Sequence, residues 1–241
     1  MPILSTYQLS KHFGKLQVLS EIDISFEMGQ AVAIIGPNAS GKTTFIKCIL
    51  GMVIPGKGEV RFKDQAIGNQ FLYRKSIGYM PQIGRYPDNM TVGSLFTMLR
   101  EIRHFDGEPD MELYHLFELE QIEQKALSTL SGGTRQKVSA ALAFMFCPEI
   151  LILDEPTAGL DPLASEILKE KILKEKQAGK LILITSHIMS DLDEICTHVM
   201  YLFDRKLRFF KSIEALKSET GEQKLGKAIA QIMKAETLSL N

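Results

Sequence analysis

Residues 36–43 read Gly-Pro-Asn-Ala-Ser-Gly-Lys-Thr, the spacing GxxxxGK[ST], between the short apolar run 31–35 and a segment of helical character opening at Lys42. N–H groups of the loop and of the next helix N-terminus can surround phosphate oxygens. Lys42 adds a point charge, and Thr43 can place a hydroxyl on Mg²⁺. The loop formed by Gly36, Pro37, Asn38, Ala39, Ser40, Gly41, Lys42, Thr43 and Thr44 is therefore expected to hold a nucleoside triphosphate such as ATP. Ala39 departs from the glycine many such loops carry, and a non-glycine residue at positive φ costs energy there.

A second constellation is Ile150-Leu-Ile-Leu-Asp154-Glu155. A carboxylate at the end of a buried strand is expensive unless a cation holds it, which Mg²⁺ bound through Asp154 would do. Glu155 could then orient or deprotonate an attacking water. The alternative is a plain turn before Pro156.

These groups need a frame. The runs 31–35, 150–153 and 181–184 are short and continuously apolar, as strands of a parallel sheet covered on both faces should be. Each ends in a polar cluster, the third being Thr185-Ser186-His187, and ligands of open α/β sheets bind beyond the carboxyl ends of the strands. Ile22, Ile24 and Phe26 alternate with polar residues, as do Val60 with Phe62 and Ile77 with Tyr79, which predicts half-buried strands of an antiparallel sheet. Helices are expected over 42–50, closed by Gly51, and from Asp161 as N-cap, with Pro162 first in the helix and Gly179 as its stop. Residues 91–103 and 111–118 look helical within a Pro- and Gly-interrupted stretch, read as an inserted helical subdomain at about 83–146. Runs 199–203 and 207–210 flank Asp204-Arg205-Lys206 as a hairpin. The tail, 218–241, reads as an amphipathic helix with a capping box at Thr220 and Gln223 and an apolar face of Leu225, Ala228, Ile229 and Ile232. The predicted fold is α/β: a P-loop NTPase core with a parallel central sheet, an N-terminal antiparallel β subdomain and the helical insert, over 1–217.

Composition excludes more than it names. With 45% hydrophobic and 24% charged residues the chain is neither disordered nor fibrous. Its 28 basic and 29 acidic residues leave no net-charge footprint for nucleic acid, so none is expected as a partner. Cys48, Cys147 and Cys196 form no CxxC pair and read as buried cytosolic thiols. The longest apolar segment, 140–153, is broken by Pro148 and Glu149 and falls short of the roughly 20 residues of a spanning helix. A cytoplasmic chain is expected, with any membrane role borrowed from a partner.

Leu130-Ser131-Gly132-Gly133 preceding Gln136, 23 residues before Asp154, resembles the signature motif of ABC-type ATPases. Gln82 in Gly78-Tyr-Met-Pro-Gln resembles the family's Q-loop, Ala158-Gly-Leu-Asp161 its D-loop and His187 its switch histidine, while Phe13 stands where the family places an aromatic under adenine. Thr134 departs from the family's usual Gln. The resemblance implies that Gln82 senses metal and attacking water, that His187 senses the γ-phosphate, and that Ser131, Gly132 and Gly133 serve the ATP of a second, identical subunit, so that two chains sandwich two ATP. It implies an ATPase subunit at the cytoplasmic face of the cell membrane, driving a multispanning permease on a separate chain. A soluble scaffold of the iron–sulfur assembly type is the alternative. Cargo is not legible; drug export, lipid-like export and copper handling for nitrous oxide reductase maturation are the guesses. Coupling to the membrane is expected through a surface of Ile83, Tyr86, Met90 and Phe96, the alternative being that these residues pack the helical subdomain internally.

Overall fold

A computed structural model of the chain describes residues 1–68, 70–105 and 107–239; Asp106 of the expected helical insert and residues 240–241 of the expected tail lie outside them. In chain order the elements are β1 (Leu4–Phe13), β2 (Leu16–Phe26), β3 (Ala31–Ile35), α1 (Lys42–Ile49), β4 (Lys57–Phe62), β5 (Gln65–Ala66), β6 (Ile77–Met80), α2 (Val92–Arg103), α3 (Glu112–Leu116) and α4 (Gly132–Phe144). There follow β7 (Ile150–Asp154), α5 (Pro162–Gln177), β8 (Leu181–Thr185), α6 (Met189–Ile195), β9 (His198–Phe203), β10 (Lys206–Ser212), α7 (Ile213–Thr220) and α8 (Leu225–Ser239). Two compact units result, Met1–Phe71 with Leu183–Asn241, and Leu72–Ile182.

The first unit holds an antiparallel sheet in the order β2-β1-β4-β5, in which Leu4 faces Phe26 on one side and Phe62 on the other. The alternation of β2 puts Leu19, Ile22, Ile24 and Phe26 inside, where Phe26 meets Phe45 and Phe210 edge-on. A second set of strands runs β10-β9-β3-β8, with β3 parallel to β9 and β9 hairpinned to β10. All of β3 is buried, which is why its sequence is apolar without alternation. Cys48 lies on the buried face of α1, where burial pushes its thiol up to about 11; Cys196 is buried as expected, but Cys147 is exposed.

α8 carries the expected apolar face, with Leu225, Ala228 and Ile229 buried against α6 and α7. Its cap is not the expected one. Thr220 ends α7 and donates its hydroxyl to the Leu216 carbonyl at 2.7 Å. The Leu225 N–H instead goes to Asp193 Oδ2 on α6, at 3.0 Å. A carboxylate from a neighbouring helix satisfies the first turn, so no local box is needed.

In the second unit the strands run β8-β7-β6, and β6 pairs parallel with β7 in the register Ile77↔Ile150 to Met80↔Leu153. This corrects the reading of Ile77 and Tyr79 as antiparallel strand. The intervening position is Gly78, where a Cβ would stand 2.0 Å from the Ala143 carbonyl oxygen of α4. The gap in the apolar run is thus a close helix–strand contact rather than a solvent-facing face. α2 starts at Thr91, whose side chain accepts the Ser94 N–H, and buries Val92, Leu95 and Phe96. Phe96 and Tyr114 of α3 stack edge-on with centroids 4.8 Å apart. α5 opens as expected at Asp161 with Pro162.

Candidate functional site

In the first unit β3 delivers the chain into the glycine-rich loop. Gly36 has φ 154°, and a Cβ there would stand 2.1 Å from the Leu202 carbonyl oxygen of β9. Gly41 has φ 102°, and its Cβ would stand 2.7 Å from the Val18 carbonyl oxygen of β2. Neighbouring strands press on the loop at both positions, so only glycine fits. Ala39 lies at φ 63°, the left-handed conformation anticipated for it.

α1 then starts with no side-chain cap. Among the described residues, the buried Ser40 hydroxyl has no hydrogen-bond partner. Lys42 Nζ folds back onto the carbonyl oxygens of Gly36 at 2.7 Å and Pro37 at 3.1 Å. An orphaned hydroxyl, a helix N-terminus and a cation around a loop too tight for Cβ atoms suit an anion such as a polyphosphate. Pro37, Asn38 and Thr43 are exposed and Thr44 is half-buried.

The same unit carries Phe13, 51% exposed at the end of β1, with Lys11 Nζ 5.0 Å from its ring centroid. An exposed ring of this kind can take a stacked base. His187 is exposed just beyond β8, where Ser186 Oγ accepts the Ile188 N–H at 3.0 Å.

The second unit holds the carboxylates. Because β6 and β7 are parallel neighbours, the segments beyond Met80 and Leu153 leave the sheet at the same end, which places Gln82 beside Asp154 and Glu155 in the topology. Gln82 is exposed, whereas Asp154 is 8% and Glu155 9% exposed. Burial and the adjacent Asp154 carboxylate push the Tyr79 hydroxyl up to about 12. Glu155 has φ 53°, a conformation a non-glycine residue holds only when its surroundings enforce it.

Ser131 caps α4: its Oγ accepts the Thr134 N–H at 3.2 Å and contacts the Thr134 hydroxyl at 2.8 Å. Thr134, the departure from the family's pattern, thereby takes part in the cap. Gly132 has open space where a Cβ would be, and at Gly133 a Cβ would lie 2.9 Å from the Gly159 carbonyl oxygen. Asp161 caps α5 through the Ala164 N–H at 2.9 Å and pairs with Lys137 of α4 at 2.8 Å. Signature and D-loop candidates therefore touch within one chain.

One feature was not read from the sequence. Gln136, noted only as part of a motif, is 5% exposed and donates from Nε2 to the Glu155 carbonyl oxygen at 3.4 Å. A lone amide beside Val138, Ala140 and Ala141 was the available signal. The expected coupling surface, in turn, forms only in part. Ile83 is 65% exposed, but Phe96 is 5% exposed in the helical core, and Tyr86 and Met90 are half-buried. Burial raises the Tyr86 hydroxyl above its ordinary range, with Ser139 and Arg135 of α4 beside it.

A family model described as ABC transporter matches residues 19–158. The Nod factor export ATP-binding protein I of Ralstonia nicotianae is 31% identical over 229 residues, spanning 91% of this chain and 70% of the relative. A solved structure described as the ATP-binding subunit of an ABC transporter superposes with a TM-score of 0.87 at 26% identity, covering 96% of this chain and 99% of that one. A dimeric ATP-binding cassette in a post-hydrolysis state with ADP and Pi superposes with a TM-score of 0.77 at 22% identity, covering 87% and 98%, a likeness that concerns the fold.

Proposed function

Because the chain belongs to the ABC transporter family, we propose that it is the ATP-binding and ATP-hydrolysing subunit of a transporter, working as a pair of identical chains on a multispanning permease encoded separately. The carrying observation is the glycine-rich loop, whose shape excludes side chains at Gly36 and Gly41 and which keeps the Ser40 hydroxyl buried and unpaired. Among the described residues no helix is long and apolar enough to cross a membrane; in this reading the chain attaches at the cytoplasmic face through the permease. Relatives named for Nod factor export support export as the direction.

In this reading the loop amides and Lys42 bind the phosphates, and Phe13 stacks on adenine. Thr43, Gln82 and Asp154 are the residues that would hold Mg²⁺, which would supply neutralisation of charge on the phosphates. Glu155 takes the proton of the attacking water, and His187 senses the γ-phosphate. Ser131, Gly132 and Gly133 present an anion site to the partner's ATP, next to Asp161.

Ser131→Arg tests the arrangement. It should spare ATP binding to the single chain but block ATP-driven dimerisation and hydrolysis, because bulk and charge fill the space for the γ-phosphate. Full activity with dimerisation intact would refute it. Mixing Ser131→Arg with Lys42→Ala chains yields dimers with one site free of both changes, and partial recovery of turnover is expected.

A further inference from the structure

One face of α4 lies along the segment that follows β7. Gly133, Gln136 and Lys137, spaced i, i+3 and i+4, meet Gly159, Glu155 and Asp161 in turn. The middle contact is the only one of these made by a buried side-chain amide. Gln136 is 5% exposed, and its Nε2 donates to the carbonyl oxygen of Glu155, which also accepts the Ala158 N–H at 3.1 Å. A buried amide is kept where its hydrogen bond is needed, since its desolvation is otherwise uncompensated. The residue it holds sits at φ 53°, the left-handed region, where rotation of the backbone would swing the carboxylate away.

We propose that Gln136 is a positioning residue for hydrolysis: by holding the Glu155 carbonyl it fixes the left-handed turn that aims the Glu155 carboxylate. It also joins the helix that begins at Ser131 to the base of the same chain, so that an anion loading the N-terminus of α4 is felt at Glu155. The proposal rests on the reading of Glu155 as the base.

The test uses the full chain with Gln136→Met, which keeps length and removes the N–H, and Gln136→Ala, which leaves space instead of filling it. ATP turnover is normalised to the folded fraction measured by circular dichroism. kcat should fall roughly 10- to 100-fold, the scale of a small misplacement of a catalytic group, while KM for MgATP stays within about twofold. In a Glu155→Gln background, adding Gln136→Met should cost nothing further in single-turnover rate. Wild-type kcat per folded molecule in both variants overturns the proposal, and so does an equal loss in the two backgrounds. Wild-type turnover of Glu155→Gln alone would remove the base reading instead.

Discussion

Lys137 of α4 and Asp161, the N-cap of α5, form an ion pair at 2.8 Å, and the same carboxylate accepts the Ala164 N–H. Lys137 and that N–H hold Asp161 below the usual carboxylate range. The two roles are separable. Asp161→Asn keeps a capping oxygen and loses the charge, whereas Asp161→Ala loses both. Thermal midpoints should fall in the order wild type, Asn, Ala, with Lys137→Met close to the Asn variant. An Ala variant as stable as the Asn variant would show that the cap contributes nothing.

Ala39 occupies the left-handed region at φ 63° within an exposed part of the loop. An L-residue there carries about 1 kcal/mol of strain that glycine lacks, against a smaller entropic loss in the unfolded chain. Ala39→Gly should raise the unfolding free energy by a few tenths to about 1 kcal/mol, as read from urea melts, and leave the ATP affinity near its starting value.

Lys171, 2% exposed, meets Asp110 at 2.5 Å, Glu112 at 2.7 Å and Glu175 at 2.8 Å, tying the start of α3 to α5. Burial depresses the ammonium, but the hydrogen bonds to these carboxylates outweigh it and raise its pKa above the ordinary value. Lys171→Met leaves Asp110 without its ammonium, while Lys174 still reaches Glu112 and Lys180 still reaches Glu175, and should cost up to about 3 kcal/mol at neutral pH. Hydrogen bonds from Lys171 and Lys174 lower the Glu112 pKa below 4.5. That contribution is therefore present above about 4.5 and is lost as pH falls through the folded-state value. The gap between wild type and Lys171→Met should accordingly narrow in acid. At the alkaline end, the share due to Lys171 is complete below its unfolded pKa and disappears only as pH rises through the raised value. Urea melts from pH 3 to 8 check the acid limb.

Ile83 and Tyr86 separate the two meanings of an apolar residue after Gln82. Ile83 is 65% exposed, so Ile83→Glu should leave the thermal midpoint near wild type while weakening binding to the proposed permease, read by co-purification from solubilised membranes. Tyr86 packs on α4, and Tyr86→Glu should instead destabilise the chain by burying a charge. Retention of the partner by a folded Ile83→Glu chain would exclude Ile83 from the contact.

What the sequence determined by itself was local. The loop at 36–44 was legible because strand, loop and helix are contiguous, so spacing alone places Lys42 and Thr43 at a helix N-terminus behind Gly41. The Asp161-Pro162 start of α5 was legible for the same reason. The signature, Q-loop and switch residues came from resemblance, since nothing in their spacing states a role. Tertiary structure decided the rest. Gly78 looked like a polar interruption until α4 pressed on it, Leu225 found its cap 32 residues back at Asp193, and Phe96 turned inward onto Tyr114. The contact of Gln136 with Glu155 likewise joins a helix to a later loop. Periodicity records which residues repeat along one element, whereas capping, close approach and buried hydrogen bonds depend on which other element arrives beside it.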